Sequence, residues 1–229
     1  MSHTRQLLLC AACAKELSGF ADGSFSGLRA GQLASINSNA DVLITGVGCF
    51  QTVYNLADTL SSGNYGMVLA AGVAGEYDIS RGLCRMYAVT RSVFADCGFE
   101  GEDGGFKPLA GSMFLDADKP PFSSGYIVNN ESSAIAARFG LETATANTVN
   151  RTCTDPAHVE RLLRQFPAEI ETMESASLSY VCGRRGAPYA EIRCTSNHIV
   201  PKSLQKWELD GAIRTLGINI DAIIKEICK

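Results

Sequence analysis

Glu174 and Asn197 are the two residues of this 229-residue chain whose chemistry is most readily named. Glu174 follows Met173 in Ile170-Glu-Thr-Met-Glu-Ser-Ala-Ser177, where an acid opens a helix of small residues. Asn197 ends Ala190-Glu-Ile-Arg-Cys-Thr-Ser-Asn197, an apolar strand from Tyr189 to Cys194 that runs out into a Ser-Asn pair. A carboxylate accepts hydrogen bonds from vicinal hydroxyls such as those of a ribose. A primary amide both donates and accepts, which suits the edge of a purine. Each residue also has a plain reading. Glu174 alone fits a solvated acid stabilised by a helix dipole, and Asn197 alone fits a turn after a strand.

Two glycine pairs could bring backbone close to a ligand: Gly46-Val-Gly48 and Gly72-Val-Ala-Gly75, each at the end of an apolar run. Strands that end in glycine suit a site at the carboxyl edge of a sheet. Such spacings are equally common in ordinary turns. Neither matches a Walker A loop or a full dinucleotide fingerprint, so nothing here calls for ATP or NAD. Arg193 lies mid-strand among apolar residues, which predicts a buried acid beside it, and Glu191 shares its face. His198 reads as a surface or internally satisfied histidine.

The elements that must hold these residues alternate between strand and helix. Gln6–Ala12, Val42–Thr45, Met67–Ala71, Cys84–Phe94 and Leu141–Thr148 read as strands. A helix is predicted over Phe50–Leu60, with Val53, Leu56, Ala57 and Leu60 on one face. Asp155-Pro156 is a helix start, with Asp capping free amides and Pro fitting the first helical position. Val159, Leu162, Leu163 and Phe166 follow with the spacing of a one-sided helix. Ser175–Cys182 is a helix closed by Gly183, and two closing helices carry Leu209–Leu216 and Ile220–Ile227. The alternation predicts one α/β domain over residues 1–229, with a mixed or parallel sheet sandwiched by helices. Gly98–Ser124 stands apart as a long loop, a candidate lid or subunit contact.

Charge and composition exclude several functions. The net charge is −4, from 20 basic and 24 acidic residues, and without a Lys/Arg run there is no footprint for nucleic acid. No stretch approaches the roughly 20 apolar residues of a membrane span. Leu7-Leu-Leu-Cys10 is too short for a signal core and is soon followed by Lys15-Glu16. The nine cysteines lack a zinc-ligand pattern: Cys10 and Cys13 form one CxxC with no second pair or nearby His. They read as small buried thiols of a reducing cytoplasm, and no metal is expected.

Taken in order, these segments resemble the nucleosidases of the nucleoside phosphorylase superfamily that act on 5'-modified purine nucleosides. The resemblance is carried by Gly46-Val-Gly48, Ala71-Gly-Val-Ala-Gly75, Val93-Phe-Ala-Asp96, Thr145-Ala-Asn-Thr-Val149, Thr172-Met-Glu174 and Arg193-Cys-Thr-Ser-Asn197. Within that group the chain is most similar to the futalosine hydrolases of an alternative menaquinone pathway. The Glu-x-Met-Glu run, the Asn-Thr-Val segment, the Ser-Asn ending and Val200-Pro-Lys202 to Lys206-Trp207 favour them. What the resemblance implies is a cofactor-free N-glycosidase folded as a three-layer α/β/α sandwich with a mixed central sheet, nucleoside phosphorylase-like and homodimeric, with a purine nucleoside as its small-molecule partner. By it, Glu174 and Met173 hold the ribose, Gly72, Val73, Ala74 and Gly75 flank ribose and water, and Val47 belongs to the same wall. Val149 and Asn150 line the base, and Asn197 sits against N7 and the six-position.

Two departures follow from the same resemblance. Adenine-specific relatives carry Asp where this chain has Asn197, and an amide offers its NH₂ to N7 or O6 of a 6-oxopurine such as hypoxanthine. The relatives also place a water-activating Glu shortly after the first strand. A gapless match puts Ala14 there and Glu16 two residues on. Either Glu16 takes the role through a shifted loop, another acid such as Glu76 or Asp96 supplies it, or activity is reduced.

Overall fold

Residues 5–102 and 105–228 are described by a computed structural model of the chain. The strands are β1 (Arg5–Ala11), β2 (Leu33–Asn37), β3 (Ala40–Ile44), β4 (Tyr65–Glu76), β5 (Met86–Phe94), β6 (Gly98–Glu100), β7 (Phe106–Pro108), β8 (Phe122–Ser123), β9 (Tyr126–Val128), β10 (Glu142–Thr148), β11 (Ile170–Thr172) and β12 (Tyr189–His198). The helices are α1 (Cys49–Ser62), α2 (Asn130–Phe139), α3 (Pro156–Gln165), α4 (Ser175–Arg185) and α5 (Leu209–Ile227).

The central sheet is mixed. β1 lies parallel between β3 and β4. β4 pairs parallel with β12 and antiparallel with β11, while β5 pairs parallel with β10 and antiparallel with β12. Since β10 also pairs with β11, the strands β4, β11, β10, β5 and β12 close into a ring at one end of the sheet. Helices cover both faces. Leu7, Leu9 and Ile192 pack with Ile135 of α2 and Ile220, Ile223 and Ile224 of α5. On the other face Leu8, Val68 and Tyr189 pack with Leu56 of α1 and Leu178 and Val181 of α4. The predicted α/β/α sandwich is the fold.

Five local expectations change. β4 does not stop before its glycines but runs through them to Glu76, and β12 continues through Asn197 to His198. The two closing helices are one 19-residue helix, α5. Gly183 does not end α4; that helix ends at Gly186, whose φ of 64° suits glycine, while Gly183 gives Pro121 room to pack. Val53 turns outward on α1, whose buried face is Thr52 and Leu56. The expected cap of α3 is present: Asp155 accepts from the His158 amide at 3.1 Å. No helix among the described residues is long and apolar enough to cross a membrane.

Candidate active site

The ring of strands ends in a cavity of about 470 Å³, built around the glycine-bearing end of β4. Gly72 is needed there for close approach. A Cβ on it would stand 2.4 Å from Arg193 Nη1 and 2.6 Å from Glu16 Oε1. Glycine therefore allows a guanidinium and a carboxylate to lie against the strand. Gly72 is the support beneath them and does not itself line the cavity, whereas Val73, Ala74 and Gly75 do.

Arg193 is 3% exposed and surrounded by carboxylates. Its Nε donates to Glu191 Oε1 at 2.7 Å, its Nη1 lies 3.5 Å from Glu174 Oε2, and Nη1 also donates to the Val73 carbonyl at 3.3 Å. Burial works against its charge, but Glu191, Glu174 and Glu16 together hold its pKa above the usual arginine value. Ser175 Oγ donates to the same Glu191 oxygen at 2.6 Å, linking the start of α4 to β12. The buried acid expected beside Arg193 is thus Glu191, with Glu174 as a second.

Glu174 occupies the N-cap position of α4 without capping it. Its Oε1 accepts instead from the Gly48 amide at 2.9 Å, across the mouth of the Gly46–Gly48 turn. Both glycines have φ of 88°, which strongly favours glycine over side-chain-bearing residues. The solvated-acid reading fails here, since Glu174 is 5% exposed. Burial raises its carboxyl above the ordinary range, Arg193 opposes this, Glu16 adds to it and the Gly48 amide opposes it. Met173 and Val47 also line the cavity.

Glu16 lies in a single 3-10 turn, Ala14–Leu17, directly after β1. Its Oε1 accepts from the Val73 amide at 2.9 Å, and its Oε2 accepts from the Cys13 amide at 3.0 Å. The turn buries Ala14 in the core and sends Glu16 to the cavity wall. Of the alternatives, Glu76 is buried and held by Tyr87 Oη and the Asp78 amide. Asp96 accepts from the Asn150 and Arg151 amides. Neither lines the cavity.

Asn197 stands at the end of β12 on the cavity wall. Ser196 Oγ donates to its Oδ1 at 3.0 Å, so the amide presents mainly its NH₂, which makes one 3.3 Å bond to the His198 carbonyl. His198 is satisfied internally, its Nε2 lying 2.9 Å from the Arg81 carbonyl.

The base-lining pair falls elsewhere. Val149 is buried with Val93, Ala95, Leu162 and Phe166, and Asn150 binds Asp96. The same loop reaches the cavity a few residues later, through Thr152 and Thr154. Sequence reasoning also passed over Glu171, which lines the cavity and accepts from Tyr77 Oη at 2.8 Å. Its place as the first acid of Glu-Thr-Met-Glu did not mark it, because the pairing of β11 with β4 is what brings it to the cavity. Among the described residues no group of three metal-ligating side chains could hold an ion.

Comparison with known proteins gives the family and the fold. A profile of the phosphorylase superfamily matches residues 42–229. A futalosine hydrolase of Acidothermus cellulolyticus is 30% identical over 183 residues, 78% of this chain and 72% of that protein. Among solved structures, a futalosine hydrolase mutant of Helicobacter pylori superposes with a TM-score of 0.74 at 16% identity, covering 97% of this chain and all (100%) of that one. The 5'-methylthioadenosine/S-adenosyl homocysteine nucleosidase of the same organism gives 0.73 at 16% identity, covering 98% and 100%. At such identities the structures speak for the fold.

Proposed function

The chain belongs to the phosphorylase superfamily, and from that premise we propose that it is an N-glycosidase that hydrolyses futalosine and releases hypoxanthine. The observation that carries the reading is that one cavity gathers Glu16, Glu174, Met173 and Asn197. The 30% identical futalosine hydrolase supports it independently.

Each group has a chemical task in this reading. Glu174, fixed by Gly48 and Arg193, accepts in its ionised form from the ribose hydroxyls and stabilises the positive charge that grows on the sugar as the C1'–N9 bond lengthens. Glu16 accepts a proton from water as the water oxygen bonds to C1'. The bond pair leaves with the base, where the Asn197 NH₂ donates to N7 or O6 and steadies it. Water supplies OH to the sugar and, by way of the carboxyl or solvent, H to the base. Val73, Ala74 and Gly75 flank the sugar. No cofactor enters this scheme.

Water is taken as the nucleophile because Arg193 is already shared between Glu191 and Glu174, and among the described residues no arginine joins Lys15 and Lys202 on the cavity wall. We assign the protein to menaquinone biosynthesis in a reducing cytoplasm, a setting that its nine free thiols favour. We also assign a homodimer. Phe50, Tyr54 and Val53 of α1 are 75%, 73% and 37% exposed beside Val47 of the cavity, an apolar surface that a second copy would cover.

Incubation with futalosine, aminofutalosine, methylthioadenosine and inosine, with and without phosphate, tests the reading. Phosphate-independent release of hypoxanthine from futalosine is expected. Preferred release of adenine from methylthioadenosine would move the protein to the alternative nucleosidase activity, and phosphate dependence would make it a phosphorylase. Tight ligand binding without turnover would make it a nucleoside-binding protein.

A further inference from the structure

The peptide unit between Val47 and Gly48 is held at both ends. Its N–H, on Gly48, donates to Glu174 Oε1 at 2.9 Å, and its carbonyl, on Val47, accepts from Gln51 Nε2 at 3.2 Å. A peptide unit is planar and trans, so its N–H and C=O point in opposite directions and fixing one aims the other. Two further side chains of α1 hold the carbonyls just before it. Asn55 Nδ2 donates to Thr45 O at 2.8 Å, and Thr52 Oγ1 donates to Gly46 O at 3.3 Å. Successive carbonyls of the turn are thus gripped by the helix that follows it.

The arrangement needs the residue types that stand there. Gly48 is the N-cap of α1 and has no side chain with which to cap its own helix. Gln51 is at the third helical position, where Gln or Glu commonly reaches back to the N-cap amide in a capping box. Here Glu174, arriving just after β11, takes that amide, and Gln51 turns its NH₂ to the Val47 carbonyl instead. Gly46 makes room for this: a Cβ there would stand 2.3 Å from Gln51 Oε1 and 2.7 Å from Gln51 Cβ. Thr52 lies on the buried face of α1, away from the exposed Phe50 and Tyr54.

We propose that Gln51, supported by Thr52 and Asn55, is a positioning residue for Glu174: it holds the Val47–Gly48 peptide so that the Gly48 amide stays on the carboxylate that faces the sugar. This rests on the nucleosidase reading above and deepens it, because a side chain that does not line the cavity then takes part in the reaction. Gln51 touches no substrate. Its donation to the Val47 carbonyl also polarises the peptide unit and strengthens the bond that the N–H makes.

The groups around Glu174 give this bond its weight. Burial raises the carboxyl, Arg193 of β12 opposes this, Glu16 of the 3-10 turn adds to it, the Gly48 amide opposes it and Glu191 of β12 adds to it. The partly buried thiols of Cys13 and Cys49 also lie within reach of its charge. Loosening the Gly48 amide removes an influence that favours the charged form, so the carboxyl would titrate higher still.

The test compares wild type, Gln51→Met and Gln51→Glu on futalosine, with thermal melts beside the kinetics. Gln51→Met keeps the length of the side chain and removes the donor. Its kcat at neutral pH should fall about tenfold, the worth in rate of weakening one charge-assisted bond, with KM changed less. The acid limb of its kcat/KM profile should move to higher pH. Gln51→Glu can close the capping box on the Gly48 amide and draw it from Glu174. It should lose at least as much activity while melting no lower than wild type. A wild-type kcat and pH profile in Gln51→Met, or losses in both variants that merely track a lowered melting temperature, overturns the proposal. Carboxyl-carbon NMR titration of Glu174, its signal assigned with Glu174→Gln, needs no turnover. Its midpoint should rise in Gln51→Met, and an unmoved midpoint also overturns the proposal. If wild type releases no base yet the midpoint rises, the hydrolase reading fails while the hold of Gln51 on Glu174 stands.

Discussion

Glu191 and Arg193, two residues apart on β12, face the same side of the strand and meet at 2.7 Å between Oε1 and Nε, both almost wholly buried. A buried pair stabilises little relative to an apolar pair, but removing one member strands the other charge at a cost of about 3–5 kcal/mol. Glu191→Gln should lower unfolding free energy by about 3 kcal/mol in urea titration. Arg193 would then be free to move toward Glu174, so kcat should fall while KM changes less. Glu191 touches no substrate in this scheme and acts as a positioning residue. A variant as stable as wild type would show that Ser175 and solvent replace the lost charge.

Glu174→Gln should leave the fold intact and reduce kcat/KM at least about 100-fold, since an amide lacks the anionic acceptor for both ribose hydroxyls and charge-assisted bonds are roughly twice as strong as neutral ones. The pH profile carries a second expectation. Activity needs the ionised carboxylate, and burial holds its pKa above the usual carboxylate value. Wild-type kcat/KM should therefore drop on the acid side at a pH higher than an ordinary glutamate would give. Near wild-type kcat/KM in the variant would remove Glu174 from the site.

Glu16→Ala should cost about 10²–10⁴-fold in kcat, the usual contribution of a general base. It also leaves the Val73 and Cys13 amides without their acceptor, so a loss of about 1–3 kcal/mol in stability should accompany it. Glu16→Gln, which can still accept from one amide, separates the two effects: stability should largely return and activity should not. Full activity in both variants would send the search for a base to other acids.

Much of this was legible in the chain. Apolar periodicity located α1 and α3, and apolar runs located β1, β3, β4, β5, β10 and β12, of which β3 and β12 are buried on both faces; β2, β8, β9 and β11 went unread. Glycine misled at Gly183, where α4 runs on, and at two further places. β4 was cut short at Gly72, although that glycine exists to admit Arg193 and Glu16 against a continuing strand. α5 was split near Gly217, where a Cβ would stand 2.0 Å from the Gly19 carbonyl oxygen; the residue is a packing contact inside a continuous helix. α2 was missed because its face is mostly Ser and Ala. Its signals were polar: Asn129 accepts from the Ser132 amide at 2.9 Å, and Gly140 ends the helix at φ 65°. In the site, Glu16 and Glu174 were legible by type and order. Glu171 was not, since only the pairing of β11 with β4 brings it to the cavity.

Glu171 also makes the free protein's stability depend on pH in a defined direction. Its folded pKa of about 7 lies above the ordinary 4.5, so the native state holds a proton that the unfolded state has already released. Stability should then fall as pH rises between those values, by about 2–3 kcal/mol in all. Glu171→Gln should flatten this difference when urea unfolding is compared at pH 5 and pH 8. An unchanged difference would mean that the carboxyl is not raised.

Asn197 gives the most discriminating experiment. With Oδ1 engaged by Ser196, the amide offers NH₂ to a ligand, which matches N7 and O6 of hypoxanthine and leaves the amino group of adenine without an acceptor. A mismatch of this kind costs about 1–3 kcal/mol for each buried group left unpaired. Wild type should therefore release hypoxanthine from futalosine about 10- to 100-fold faster, in kcat/KM, than adenine from aminofutalosine. Asn197→Asp should shift the ratio toward the 6-amino base, because a protonated carboxyl donates to N7 while its carbonyl accepts from the amino group. The shift should grow as pH falls and the acid form becomes populated. Equal rates on both bases in wild type, or an unchanged ratio in the variant, would show that Asn197 does not read the six-position, and base selection would then rest on the Thr152–Thr154 wall.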